Sequence, residues 1–138
     1  MSAPVPSLID TDILSALMRK NHLATERARS CLQAHRRLAF SVITRYEVLR
    51  GLLARRATAQ LAAFDQLCAA SQVVPLTDAV IVRAATVYAD LHQRDQLIGD
   101  ADILIAATAI THGLAVITNN KEHFKRIPGI RTENWLAR

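Results

Sequence analysis

Four short, continuously apolar segments recur along the chain: "SLID" at 7–10, "LAFSVI" at 38–43, "VVPL" at 73–76 and "LAVIT" at 114–118. A strand with one wet face alternates polar and apolar residues, whereas a strand covered on both faces does not. Between these segments the apolar residues recur with helical period. Buried strands separated by helices build a parallel sheet with helices on both sides. The pattern predicts an α/β fold, a three-layer sandwich with a central, mostly parallel sheet of four to five strands, the last a short one near Arg131–Glu133.

The helices follow from the same reading. Residues 12–20 place Ile13, Leu14, Leu17 and Met18 on one face, and residues 24–35 form an arginine-rich helix. Helices are expected over 44–54 and 58–70, then a long one capped by Thr77 or Asp78 and running to about Arg94. A polar loop leads to Gly99, and a very apolar helix over 101–112 stops at Gly113, a natural residue for a helix end. No repeat, low-complexity segment or linker interrupts the 138 residues, so a single domain over 1–138 is expected. With 51% apolar residues but only 4% aromatics, its core must be built from Ala, Leu, Ile and Val.

Cys31 and Cys68 have no partner at metal-ligand spacing and read as free thiols in a reducing cytosol. The opening "MSAPVPS" has no basic n-region, and no stretch reaches the roughly 18 apolar residues of a membrane span. A soluble, cytoplasmic protein without a membrane partner is the expectation. The net charge of +5 fits a polyanionic partner such as nucleic acid, through counterion release, and it fits simple solubility.

Carboxylates gather at the junctions of these elements. Asp10 ends the first strand, with Asp12 two residues on. Glu47 lies early in the helix after the second strand, and Asp102 lies in the first turn of the helix before "LAVIT", with Asp100 just upstream. In a parallel sheet ligands bind beyond the carboxyl ends of the strands. Asp10 and Glu47 belong at that edge, and Asp102 joins them if its helix starts there. Each acid also has a capping role open to it. Thr44 to Glu47 spell a capping box, Asp10 or Asp12 can cap the first helix, and Asp100 can cap its own. Capping, however, does not require the acids to share an edge. A cluster of carboxylates needs a cation, and oxygen donors select a hard one such as Mg²⁺ or Mn²⁺.

"LIDTDIL", "SVITRYEVLRGL", "GDADILIAATAITHGL" and "VITNNKEHFKRIPGIRTENW" resemble, in order, the four motifs of the PIN domain, and more closely those of VapC-type toxins of type II toxin–antitoxin modules. The resemblance runs from about Pro6 to Trp135. It implies a metal-dependent endoribonuclease with Asp10, Glu47 and Asp102 as its catalytic, metal-holding acids. It also implies Mg²⁺, with Mn²⁺ able to substitute, an RNA substrate and a small antitoxin partner covering the acids; the Leu/Ala stripes offer a face for a homodimer. The family's fourth position, often Asp, is Asn120 here. It brings no charge, so a single Mg²⁺ is expected. Thr11 and Thr118 fall where such proteins place hydroxyls, and Asp12 and Asp100 are secondary site candidates.

Arg45 and Arg50 flank Glu47, while Lys121 and His123 follow Asn120; these are the candidates for holding the RNA backbone. The other arginine pairs, such as Arg27 with Arg29, read as solvated faces, and Trp135 as packing. Two other functions remain to be weighed. One is a non-catalytic nucleic-acid or partner-binding module whose acids are caps. The other is an acid/Mg²⁺ phosphatase of the D-x-D type, but that needs a Gly-Thr pair where Ile13 and Leu14 stand.

Overall fold

Alternation along two strands sets the layers. In β1 (Ser7–Ile9), Leu8 faces one apolar cluster and Ile9 the other. In β4 (Ala115–Ile117), Val116 and Ile117 divide the same way. Successive side chains of a strand point to opposite faces, so both faces of this sheet are covered. The computed structural model describes residues 4–138; the first three residues of the opening "MSAPVPS" lie outside them.

Over one face lie α5 (Asp78–Gln93) and α6 (Asp100–His112), with α7 (Lys121–Phe124) at their edge. Over the other lie α1 (Thr11–Met18), α2 (His22–His35), α3 (Val42–Ala54) and α4 (Thr58–Ala70). The remaining strands are β2 (Ala39–Ser41), β3 (Gln72–Val74) and β5 (Thr132–Glu133). Every pairing is parallel. The three-layer architecture is therefore as expected, but the five strands do not form one ladder. They divide into a three-stranded sheet, β1-β4-β5, and a pair, β2-β3. The two pieces abut through β1 and β2. Each of those strands has three residues and runs straight into a helix cap, Asp10 directly after β1 and Ser41 at the end of β2, so little ladder is left to form.

The helix starts differ from the sequence expectation where a cap lies upstream. Asn21 caps α2, its side chain accepting from the Ala24 N–H at 2.9 Å, so the helix begins at His22 and not at 24. Ser41 caps α3 by accepting from the Ile43 N–H at 3.0 Å. Thr44 and Glu47 are consequently inside the helix, and the expected capping box does not form. Gly99, not Asp100, is the N-cap of α6. Thr77 caps α5 as expected.

Helix α6 and its exit place the third acid. Ile103, Ile105, Ala106, Ala107 and Ala109 are all buried, so α6 packs closely against its neighbours. Gly113 then turns with φ +67° in the left-handed region, and β4 follows at once. The helix therefore runs back from the carboxyl edge of the sheet, and its first turn, with Asp102, lies at that edge. No described helix is long and apolar enough to cross a membrane. Trp135 is buried in the second cluster, and Cys31 and Cys68 are unbonded thiols.

A Cβ at Gly113 would meet no atom within 4 Å, so the cost of Gly113→Ala is backbone strain alone. We expect a loss of about 1–2 kcal/mol, read as a lowered urea midpoint with an unchanged slope. An unchanged or raised midpoint would show that the left-handed turn costs nothing.

Candidate active site

Asp10 is the residue at which strand becomes helix. Its backbone N–H still donates to the β4 residue Ile117, at 2.8 Å, while its side chain caps α1 by accepting from the Thr11 N–H at 2.8 Å. The other carboxylate oxygen accepts from the Thr118 hydroxyl at 2.8 Å. Asp10 is 6% exposed. Burial first, and then the nearby Asp12 carboxylate, push its pKa up to about 7; the Thr118 and Thr11 hydrogen bonds pull the other way, and Asp102 adds to the rise. One carboxylate from the adjoining helix turn, Asp12, and one from a distant helix, Asp102, therefore lie near this one.

Asp12, in the first turn of α1, does more than start a helix. Its Oδ2 accepts from the backbone N–H of Asn119 at 3.1 Å. Its Oδ1 is buried with no hydrogen-bond partner among the described residues. Burial holds its pKa above the usual carboxylate range, with Asp102 contributing, against the hydrogen bonds from Asn119 and Ile13.

Glu47 reaches the site across two helices. Thr11 Oγ1 donates to Glu47 Oε1 at 2.6 Å and lies 3.3 Å from the buried hydroxyl of Thr44. The other side of the carboxylate meets Arg50 at 3.9 Å, and that guanidinium lies over the Tyr46 ring. Asp102 is held by His123, whose Nδ1 is 2.9 Å from Asp102 Oδ2. The same nitrogen is 2.9 Å from Asn120 Nδ2, so it donates to the acid when protonated and accepts from the amide when bare. Asn120 in turn donates its backbone N–H to Thr118 Oγ1 at 2.9 Å.

A chain of contacts thus joins Asp102, His123, Asn120, Thr118, Asp10, Thr11, Glu47 and Arg50. Every acid of the expected triad is in it, and Thr11 and Thr118 are two of its links. Three expectations change. Arg45 does not face the acids: its guanidinium donates to Cys68 Sγ at 2.9 Å and packs over Phe64, because its position turns it toward α4. His123 is engaged with Asp102 and Asn120 through Nδ1, with its side chain still 40% exposed. Asp100 is exposed and lines a groove between α5 and α6 with Ile81 and Tyr88, away from the other acids. Asp102, not Asp100, is the acid of α6 that enters the cluster. Lys121 is exposed beside Asn120. Asn119 and Thr44 were not anticipated. The neighbouring "TNN" in the sequence was the available signal for Asn119; nothing local marks Thr44.

The acids converge on one edge without closing: among the described residues, no three His, Cys, Asp or Glu side chains form a ready coordination sphere. The donor set still fits a hard divalent cation. It offers only carboxylate oxygens, one of them, Asp12 Oδ1, buried and unpartnered, and their mutual repulsion is what a cation relieves.

Comparison with known proteins shows the family. Residues 7–130 match the PIN domain family. The chain is 31% identical over 120 residues to ribonuclease VapC1 of Methanocaldococcus jannaschii, covering 87% of this chain and 79% of that one. It is 32% identical over 100 residues to a tRNA(fMet)-specific endonuclease VapC of Salmonella typhimurium, covering 72% and 76%. In three dimensions it is similar to the DNA-bound VapBC structure from Salmonella typhimurium, with a TM-score of 0.81, 28% identity, and 96% and 99% of the two chains covered.

Asp10 carries a prediction about stability. Its carboxyl has the ordinary value of 3.8 when exposed and about 7 in the fold. Between those values the folded chain binds more protons than the unfolded one, so this group's contribution to stability falls as pH rises through the window. At about 1.4 kcal/mol per pK unit, the loss is on the order of 2–4 kcal/mol in chelator. Urea unfolding at about pH 5 and about pH 8 should find the wild type weaker at the higher pH, and Asp10→Asn should remove most of the difference. The same pH dependence in both proteins would contradict the burial argument.

Proposed function

The chain belongs to the PIN-domain family and within it to the VapC group, and from that premise we propose that it is the metal-dependent endoribonuclease of a toxin–antitoxin pair, hydrolysing RNA phosphodiester bonds in the cytoplasm. The observation that carries this reading is the convergence of Asp10, Asp12 and Asp102 on one sheet edge, with Glu47 tied to it through Thr11. Capping accounts for one oxygen of Asp10 only. It explains neither the unpartnered oxygen of Asp12 nor the reach of Glu47 to another helix.

Asp10, Asp102 and Glu47 are the residues that would hold Mg²⁺, or Mn²⁺ in its place, with Asp12 offering its free oxygen. When bound, such a cation polarises a phosphoryl oxygen and acidifies the attacking water. The protein's own groups prepare the site for it. Thr118 and the Thr11 N–H keep both oxygens of Asp10 oriented. Thr11 fixes one oxygen of Glu47, leaving the carboxylate further lone pairs with which to orient a water and take its proton. His123, itself held by Asn120, steadies Asp102 from within the same layer. Asn120 adds no charge at the fourth position, in keeping with one cation. Arg50 and Lys121, both exposed at this edge, are placed to meet the phosphates of an RNA strand.

The similar Salmonella structure is of VapBC bound to DNA, and VapBC is a family of toxin–antitoxin systems. For this chain we extend the reading to a small partner that covers the acidic edge and suppresses cleavage, and to a homodimer. Induced expression followed by sequencing of RNA 5′ ends should reveal new ends, naming the substrate. Asp10→Asn, Glu47→Gln and Asp102→Asn should each lower cleavage at least about a hundredfold, and EDTA should abolish it reversibly. Thr11→Val should cost about ten- to a hundredfold, since it only frees Glu47. Cleavage of equal rate by wild type and Asp10→Asn would sink the enzymatic reading and restore that of a binding module.

A further inference from the structure

A cavity of about 540 Å³ lies beside the acidic centre, between α2, the stretch before β1 and the segment after β5. Three cations line it, Arg27, Lys121 and Arg138, against one carboxylate, Glu133. None of the three cations is within ion-pair distance of a carboxylate among the described residues. Arg27 is fixed in place: its Nη1 donates to the Asn134 carbonyl at 2.6 Å, and its remaining N–H donors have no protein partner among the described residues. Asn134 Nδ2 donates to Asn119 Oδ1 at 2.8 Å, and the Asn119 N–H donates to Asp12. Lys121 directly follows Asn120. The wall of this cavity and the acidic centre therefore share one short hydrogen-bonded chain.

We propose that this cavity is a second phosphate subsite, in which Arg27, with Lys121, holds a backbone phosphate of the RNA strand outside the linkage that is cut. The proposal rests on the ribonuclease reading for the identity of the strand. Its physical basis is separate. The acids repel every phosphate that no cation shields, so the strand needs positive charge close by to stay on this edge. An anchored guanidinium with spare donors, unneutralised by a protein carboxylate, supplies both charge and a fork that matches phosphate. Arg29, exposed on the same helix and outside the cavity, supplies the control.

The test is binding, kept apart from cleavage. A fluorescein-labelled RNA of about twenty nucleotides is titrated in EDTA at several salt concentrations, with anisotropy as the readout. Arg27→Gln should weaken binding about tenfold and make the slope of log K against log salt shallower by about one, while Arg29→Gln matches the wild type. Arg27→Lys keeps the charge but not the fork, so it should restore the slope and only part of the affinity. Thermal unfolding of each variant separates a lost contact from a lost fold, because Arg27 also ties down Asn134. If Arg27→Gln, folded, binds as Arg29→Gln does, the subsite is wrong, whatever the cleavage assays say. If the wild type binds with these dependences and cleaves nothing in Mg²⁺, the ribonuclease reading fails and the anion site stands.

Discussion

Asp10 holds its place by two bonds that have different origins. One oxygen accepts from the next residue's N–H and starts a helix; the other accepts from Thr118, 108 residues away. The first bond is local, between neighbouring residues at the start of α1. The second requires β1 and β4 to be neighbours in register, with Ile9 opposite Ile117. A carboxylate pinned in this way can move neither out to water nor away from Asp12 and Asp102, so burial first, and those charges after it, make it hold its proton more tightly. The rest of the site is arranged around that fixed group. Glu47 is reached through the hydroxyl of the residue that follows it, and Asn120 through the hydroxyl that it accepts from.

Hydroxyls are the joints of this site. Thr11 joins α1 to α3, and Thr118 joins β1 to the segment after β4. A threonine can donate to a carboxylate while still accepting, so it transmits position without adding charge. That property suits a cluster already crowded with negative charge. A lysine or arginine in either position would neutralise an acid instead of orienting it. Where a cation does meet Glu47, it is Arg50, at 3.9 Å and largely exposed, where water screens the pair.

The fold was legible in the sequence because buried parallel strands lose their alternation, a signal that "SLID" and "LAVIT" carry plainly. Asp10, Glu47 and Asp102 could be chosen by the logic of the carboxyl edge. Harder to read was anything that depends on a partner element. The Thr44–Glu47 spacing looks like a capping box, but Ser41 stands three residues earlier and caps first, which frees Glu47 to reach Thr11. Arg45 and Arg50 flank Glu47 alike in sequence, and only the position of α4 decides that one packs on Phe64. Asp100 and Asp102 differ by two residues, enough to turn one outward along the α5–α6 groove and the other inward. The short α7, with Phe124 as its one buried residue, has no periodicity to detect.

The division of the acids between layers has a consequence of its own. Glu47 is mounted on a helix of one layer, Asp102 on a helix of the other, and Asp10 on the sheet between them. Strands of only three residues give the sheet little stiffness of its own. The spacing of the acids is therefore a gauge of how the two layers sit against each other. Repacking either core can detune the gauge in a chain that remains folded, so core residues such as Leu52 or Ile105 hold a share of control over the spacing of the acids.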